Sequence, residues 1–140
     1  VLMDSLNKRV EFLKQVIGEL GLNAQAIHGR AEDLARNAQL RDAFDLSTAR
    51  AVAALPTLLE LSLPFVRPGG AMICYKGPGL DEEMERAQNA LNRLCGRVEA
   101  VRRVPIPGRD WDHRLLKIKK LSETPRAYPR KSGDPNRKPL

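Results

Sequence analysis

The chain has 140 residues, of which 42% are hydrophobic and 29% charged, with a formal net charge of +7. That length suits about one domain, and the ordinary globular mixture excludes a wholly disordered chain, a collagen and a coiled-coil rod. No stretch approaches the roughly 18 apolar residues of a membrane-spanning helix, and no basic-then-apolar signal peptide opens the chain.

Val1-Leu2-Met3 followed by Asp4-Ser5 reads as the end of a buried parallel strand and a helix N-cap. A chain seldom opens on a buried strand, so an N-terminal portion is expected upstream. Residues 6–20 predict a helix, with Val10, Leu13, Val16 or Ile17 and Leu20 on one face and Gly21 after its end. Ala24 to His28 predicts a short strand, Ala31 to Leu40 a short helix, and Phe44 to Ala51 a third strand in which Arg50 ends the run. Leu55 to Leu63 is a strongly apolar helix that tolerates Pro56 in its first turn. Pro68-Gly69-Gly70 predicts a turn before a buried strand from Ala71 to Tyr75. Residues 80–94 form an amphipathic helix with Leu80, Met84, Ala87, Leu91 and Leu94 inward.

Val98 to Ile106 and Leu115 to Lys120 predict two final strands. In the second, Leu116 and Ile118 alternate with Lys117 and Lys119, as in a half-exposed antiparallel strand. Alternating strands and helices predict a mostly parallel α/β sheet, with one antiparallel strand near the C-terminus. Residues 1–122 form this body. Residues 123–140, rich in Pro, Arg and Lys, read as an irregular basic tail.

Charge follows this division. Residues 1–100 carry 12 basic and 13 acidic side chains, whereas residues 101–140 carry 12 basic and 4 acidic. A neutral body with a basic end points to a polyanion, nucleic acid before membrane. A solubilising tail explains the charge equally well.

Ligands of open α/β sheets bind at the carboxyl ends of the strands. Asp4 there is a candidate to accept two ribose hydroxyls, and equally a simple helix cap. In Gly29-Arg30-Ala31-Glu32-Asp33, Ala31 and Glu32 can meet a purine edge, or Glu32 and Asp33 can complement a helix dipole. Arg50 and Lys76 end the next two strands. Cys74 reads as a small core residue, and the two cysteines, Cys74 and Cys95, as reduced thiols of a cytosolic protein. Neither His28 nor His113 has a neighbour at metal-ligand spacing, so no metal is expected. Trp111 and Tyr128 could stack on bases, though packing is the commoner role of each. The chain contains no G-x-S-x-G, P-loop or G-x-G-x-x-G.

The residues Asp4-Ser5-Leu6-Asn7-Lys8-Arg9, Gly29-Arg30-Ala31-Glu32-Asp33, Thr48-Ala49-Arg50-Ala51-Val52-Ala53, Lys76-Gly77-Pro78 and Tyr128-Pro129-Arg130-Lys131 occur in this order, and the chain ends in Lys138-Pro139-Leu140. In these stretches the chain resembles the RsmG/GidB family (glucose-inhibited division protein B), bacterial small-subunit (16S) ribosomal RNA guanine-N7 methyltransferases. The resemblance implies a class I, Rossmann-like methyltransferase fold and S-adenosyl-L-methionine as cofactor. It places Asp4, Ser5 and Leu6 at the cofactor ribose, Ala31 and Glu32 beside the adenine, and Arg50 along the same pocket, near the cofactor or the entering guanine. It implies ribosomal RNA or the 30S particle as partner, a monomer when full length, a cytoplasmic location and no membrane or metal. The family's first strand and glycine-rich loop have no counterpart here, so the 140 residues alone are expected to be inactive.

Guanine N7 carries its own lone pair, so no general base is required and no catalytic residue is assigned. Lys76, Arg126, Arg130, Lys131, Arg137 and Lys138 are then the candidate RNA contacts. Two other classes remain open: a non-catalytic RNA-binding α/β module, which the tail alone would suit, and another nucleotide-binding Rossmann enzyme, which the antiparallel pair and missing dinucleotide loop disfavour.

Overall fold

In the computed structural model, which describes residues 1–140, β1 (Leu2–Asp4) pairs in parallel with β2 (Ala26–His28), Asp4 lying opposite His28. Helix α1 (Asn7–Glu19) crosses between them. Gly21 follows at φ +59, a left-handed position that glycine adopts without a Cβ clash, and the helix ends there as expected. Helix α2 spans only Ala31–Leu34. The expected helix to Leu40 is cut short, and the chain turns where the Asn37 side chain accepts a hydrogen bond from the Gln39 N–H at 2.8 Å.

A second sheet contains β3 (Phe44–Arg50), β4 (Val66–Lys76), β5 (Gly96–Arg103) and β6 (Arg114–Lys120) in the order β3-β4-β6-β5. The β3–β4 pair is parallel, and β6 runs antiparallel to both β4 and β5, which is the antiparallel insertion expected from sequence. The predicted Pro68-Gly69-Gly70 turn is instead an irregularity inside β4, where register shifts between Phe44 and Leu46 of its neighbour. Gly70 permits it, since a Cβ there would lie 2.7 Å from the Asp45 carbonyl oxygen.

One face of this sheet is covered by α3 (Leu55–Ser62), α4 (Leu80–Arg86) and α5 (Gln88–Arg93). The predicted single helix over 80–94 breaks at Ala87, whose ψ is −2. Leu55, Leu59, Met72, Leu80, Leu94, Leu116 and Ile118 are fully buried in the shared core. At about 1.5–3 kcal/mol per buried large side chain, this contact is the main apolar stabilisation of the fold.

The two sheets are separate, and the break falls between β1 and β3. The sequence pattern had implied a buried first strand. Val1, Leu2 and Met3 are instead 45%, 42% and 37% exposed, because β1 has a hydrogen-bonded neighbour on one edge only.

The segment 123–140 is irregular apart from one short helix, but it does not hang free. It folds back on the body and ends in α6 (Asp134–Arg137). Arg41 donates to the carbonyls of Ala35, Thr124, Pro125 and Tyr128, closing one end of the segment against the α2–β3 connection. Lys120 continues the inward face of Leu116 and Ile118 and is fully buried. Its ammonium donates to the Leu63 carbonyl at 2.6 Å and the Thr124 hydroxyl at 2.5 Å, and it faces Asp42 at 3.3 Å. Burial pushes its pKa down, while Asp42 opposes that shift.

Glu60, also fully buried, accepts the Arg130 N–H at 2.7 Å and a two-pronged guanidinium contact, with Nη2 at 2.7 Å from Oε2. Thr57 donates to the Pro135 carbonyl at 2.9 Å, and Leu140 packs against the main core. Removing one partner of a buried pair leaves an uncompensated charge. Arg130→Ala is therefore expected to cost about 3 kcal/mol in urea unfolding, whereas Lys131→Ala, at an exposed position, is expected to change stability by less than about 0.5 kcal/mol.

Candidate functional site

The carboxyl ends of β1 and β2 are brought side by side by their pairing. Gly29 N–H donates to the Asp4 carbonyl at 3.1 Å, and the His28 ring nitrogen Nε2 lies 3.2 Å from the Ser5 carbonyl oxygen. Asp4 and Ser5 thus lie against His28 and Gly29 at the end of β2. Asp4 Oδ1 accepts the Leu6 N–H at 2.8 Å, and Oδ2 faces Arg9 at 3.3 Å. The Leu6 N–H is the main reason that the Asp4 pKa falls below the ordinary carboxylate value, with Arg9 adding to it. The group is consequently an acceptor-only carboxylate at neutral pH, with lone pairs left for two vicinal hydroxyls.

The two sheets are separated by an apolar slot of about 350 Å³ that runs from Val1, Leu2 and Met3 of β1 past Phe44 and Ala49 of β3 to Leu61 and Phe65, and Asp4 does not line it. The carboxylate of Glu32, expected beside an adenine, is used elsewhere. Glu32 is buried and accepts the Gly133 N–H at 3.0 Å, so its charge faces the C-terminal segment and not the slot.

Arg50 does not line this slot. It lies on a second, larger cleft of about 980 Å³ at the carboxyl ends of β3 and β4, which the β5–β6 connection closes on the far side. The two cavities share Val52 and Leu58 as a common wall. Arg50 has no acidic partner, and Ala51 beside it adopts φ +54, a left-handed conformation rare for a residue with a Cβ.

Lys76, expected to be a free cation for RNA, is buried. Its ammonium donates to Glu83 at 2.6 Å and to the Ala53 carbonyl at 3.0 Å, while the same Glu83 oxygen caps the Leu55 N–H of α3 at 2.6 Å. Arg130 is likewise committed to Glu60. Arg137 pairs with Asp134 but stays exposed. Arg126, Lys131 and Lys138 are exposed without an acidic partner. The sequence reading passed over the basic edge formed by Arg97, Arg102 and Arg103 on β5 and Arg109 beyond it. No motif marks these cations, and only the fold gathers them.

A family model described as rRNA small subunit methyltransferase G (GidB) matches residues 1–109. The chain belongs to this family. Curated relatives named ribosomal RNA small subunit methyltransferase G come from Alkaliphilus metalliredigens, at 49% identity over 140 residues, and Clostridium perfringens, at 44%. Each alignment covers 99% of this chain and 59% of the relative, so the GidB residues described here span about three-fifths of those proteins.

Solved structures show the same fold at low identity. A rRNA methylase from Streptococcus thermophilus matches with a TM-score of 0.59 at 15% identity, covering 86% of this chain and 72% of that one. The Methanococcus jannaschii fibrillarin pre-rRNA processing protein matches with a TM-score of 0.61 at 15% identity, covering 86% of this chain and 55% of that one. The expected class I methyltransferase fold is thereby established.

Cys74 is fully buried in β4, and burial raises its thiol pKa to about 11, so it carries almost no thiolate at neutral pH. Cys95 is partly exposed. Titration of the native protein with an aromatic disulfide reagent at pH 8 is expected to show reaction at Cys95, with Cys74 reacting only after unfolding.

Proposed function

We propose that this chain forms the ribose and adenine side of a cofactor site, and the adjoining substrate cleft, of a methyltransferase. It would use S-adenosyl-L-methionine to methylate guanine N7 in small-subunit ribosomal RNA. Membership of the GidB family supports the reaction class. The observation that carries the site assignment is the pairing of β1 with β2, which sets the Asp4 carboxylate at the carboxyl end of β1 next to Gly29 at the end of β2.

The residues fit the adenosine part of the cofactor. Asp4 would accept the ribose hydroxyls, and Ser5 and Leu6 would line that side. Ala31 would border the adenine through its backbone and methyl group. Glu32 would act indirectly, by tying the adenine wall to the C-terminal segment. When bound, the cofactor supplies an electrophilic methyl group on a sulfonium.

Guanine N7 offers a lone pair without losing a proton, so the protein needs no general base. Its contribution is to hold the base in line and to exclude water. The site fits this requirement, since the large cleft presents Arg50, the neutralised Lys76–Glu83 pair, and His113 packed edge-on against Trp111. Arg126, Lys131, Lys138 and Arg137 would contact RNA phosphates from the C-terminal segment, with the β5 arginines extending that surface.

The test is methyl transfer by the full-length protein carrying residues 1–140, using tritiated S-adenosylmethionine and small-subunit ribosomal RNA lacking the modification. Label is expected in N7-methylguanine, and label in any other position sinks the N7 assignment. Asp4→Asn keeps the side-chain size but removes the charge. It is expected to weaken S-adenosylhomocysteine binding by at least about tenfold, the loss of one charge-assisted contact, while leaving RNA binding unchanged.

A further inference from the structure

The connection between β5 and β6 carries features that the proposed reaction has not used. Trp111 stands there 51% exposed, the only tryptophan of this sequence. The Arg109 guanidinium lies 5.1 Å from its ring centre, and His113 meets it edge-on with ring centres 5.4 Å apart. Such an exposed indole is held in place by neighbours yet keeps half its surface open. It lines the large cleft together with Tyr75, itself 49% exposed, at the end of β4.

The charge pattern of the cleft narrows the occupant. Inside, Lys76 is neutralised by Glu83 at 2.6 Å, and Arg114 by Asp81 at 2.9 Å and Asp112 at 3.2 Å. At the rim, Arg50 and Arg109 have no acidic partner, and Arg103 reaches Asp112 only at 3.7 Å. A neutral floor with exposed aromatic rings under a cationic rim matches an unstacked nucleobase whose flanking phosphates stay outside. An apolar peptide would leave the rim arginines unmatched, and a bare phosphate would leave the rings unused.

We infer that Trp111 is the stacking platform for a single guanine splayed out of the RNA, with Arg50 and Arg109 holding the phosphates on either side. This deepens the proposed function by naming residues that receive the substrate base. The cleft opens at the carboxyl ends of β3 and β4, the same end of the parallel strands that carries Asp4 in β1. The fluorescence of a stacked indole is quenched by the base, which provides a direct readout.

The experiment uses the full-length protein and two labelled single-stranded oligoribonucleotides, one with a single guanine in a uracil run and one abasic at that position. Trp111 emission is read as the difference from Trp111→Phe. Quenching by the guanine oligomer but not by the abasic one is expected. Trp111→Ala is expected to bind the guanine oligomer about tenfold more weakly, the effect of losing one base stack, with the abasic oligomer unaffected and Trp111→Phe retaining most of the affinity. Equal quenching by both oligomers, or unchanged guanine affinity in Trp111→Ala, overturns the inference. Methyl transfer that persists undiminished in Trp111→Ala supports the reaction and overturns the stacking role. Guanine-dependent quenching without any methyl transfer supports the stacking role and overturns the reaction. The half-exposed position of Trp111 predicts an unchanged far-ultraviolet circular dichroism spectrum for both variants.

Discussion

A buried carboxylate must find a partner, and Glu60 imposes that requirement on the whole molecule. It lies in the most apolar helix, α3, with no exposure to solvent. The only arginine that meets it, Arg130, lies 70 positions later in the chain. The C-terminal segment therefore returns across the body. Once it does, Arg41 gathers its carbonyls, Lys120 takes the Thr124 hydroxyl, and Glu32 takes the Gly133 N–H. The last contact is the consequential one for function, because Glu32 belongs to the turn that walls the apolar slot. The segment braces the site as well as contributing charge to the surface.

This bracing redistributes the basic surplus. Of the cations that looked available for RNA, Arg130 and Lys76 neutralise buried or half-buried carboxylates. Cations without an acidic partner include Arg126, Lys131 and Lys138 on the C-terminal segment, and Arg50 and Arg109 near the cleft. Arg109 lies over Trp111, which lines the cleft at the carboxyl ends of β3 and β4 together with Arg50. Positive charge and exposed aromatic surface thus coincide where a parallel sheet ordinarily presents its ligand. The slot and the cleft meet at Val52 and Leu58.

Much of the fold was legible from local pattern. The helical spacing of Val10 and Leu13, the apolar run of α3 and the Leu116/Ile118 alternation each mark an element by which face it must bury. The antiparallel position of β6 followed from two consecutive strands without a crossover helix. The failures have equally local causes. Helix α2 stops early because the Asn37 side chain offers the backbone another hydrogen bond. The 80–94 helix breaks at Ala87, where the backbone leaves helical ψ without any proline or glycine to announce it. Around the candidate site, Asp4 ends β1 and Ala31 opens α2 after β2, positions that follow from the strand and helix pattern. Glu32 sits at its expected position, with its carboxylate directed to a residue 101 positions away.

Local periodicity and residue type were enough to determine the alternation of strands and helices, the strand ends that carry polar groups, and the family. Those properties depend on neighbours within a few residues, or on motifs that survive in order along the chain. Which cations are free, which carboxylates are consumed, and that Trp111 shares a cleft with Arg50 were decided only by the tertiary structure. Pairing between residues 70 or 100 positions apart leaves no periodic trace in the sequence. The +7 charge of the chain is the same in either view. Folding determines which part of it a polyanion can reach.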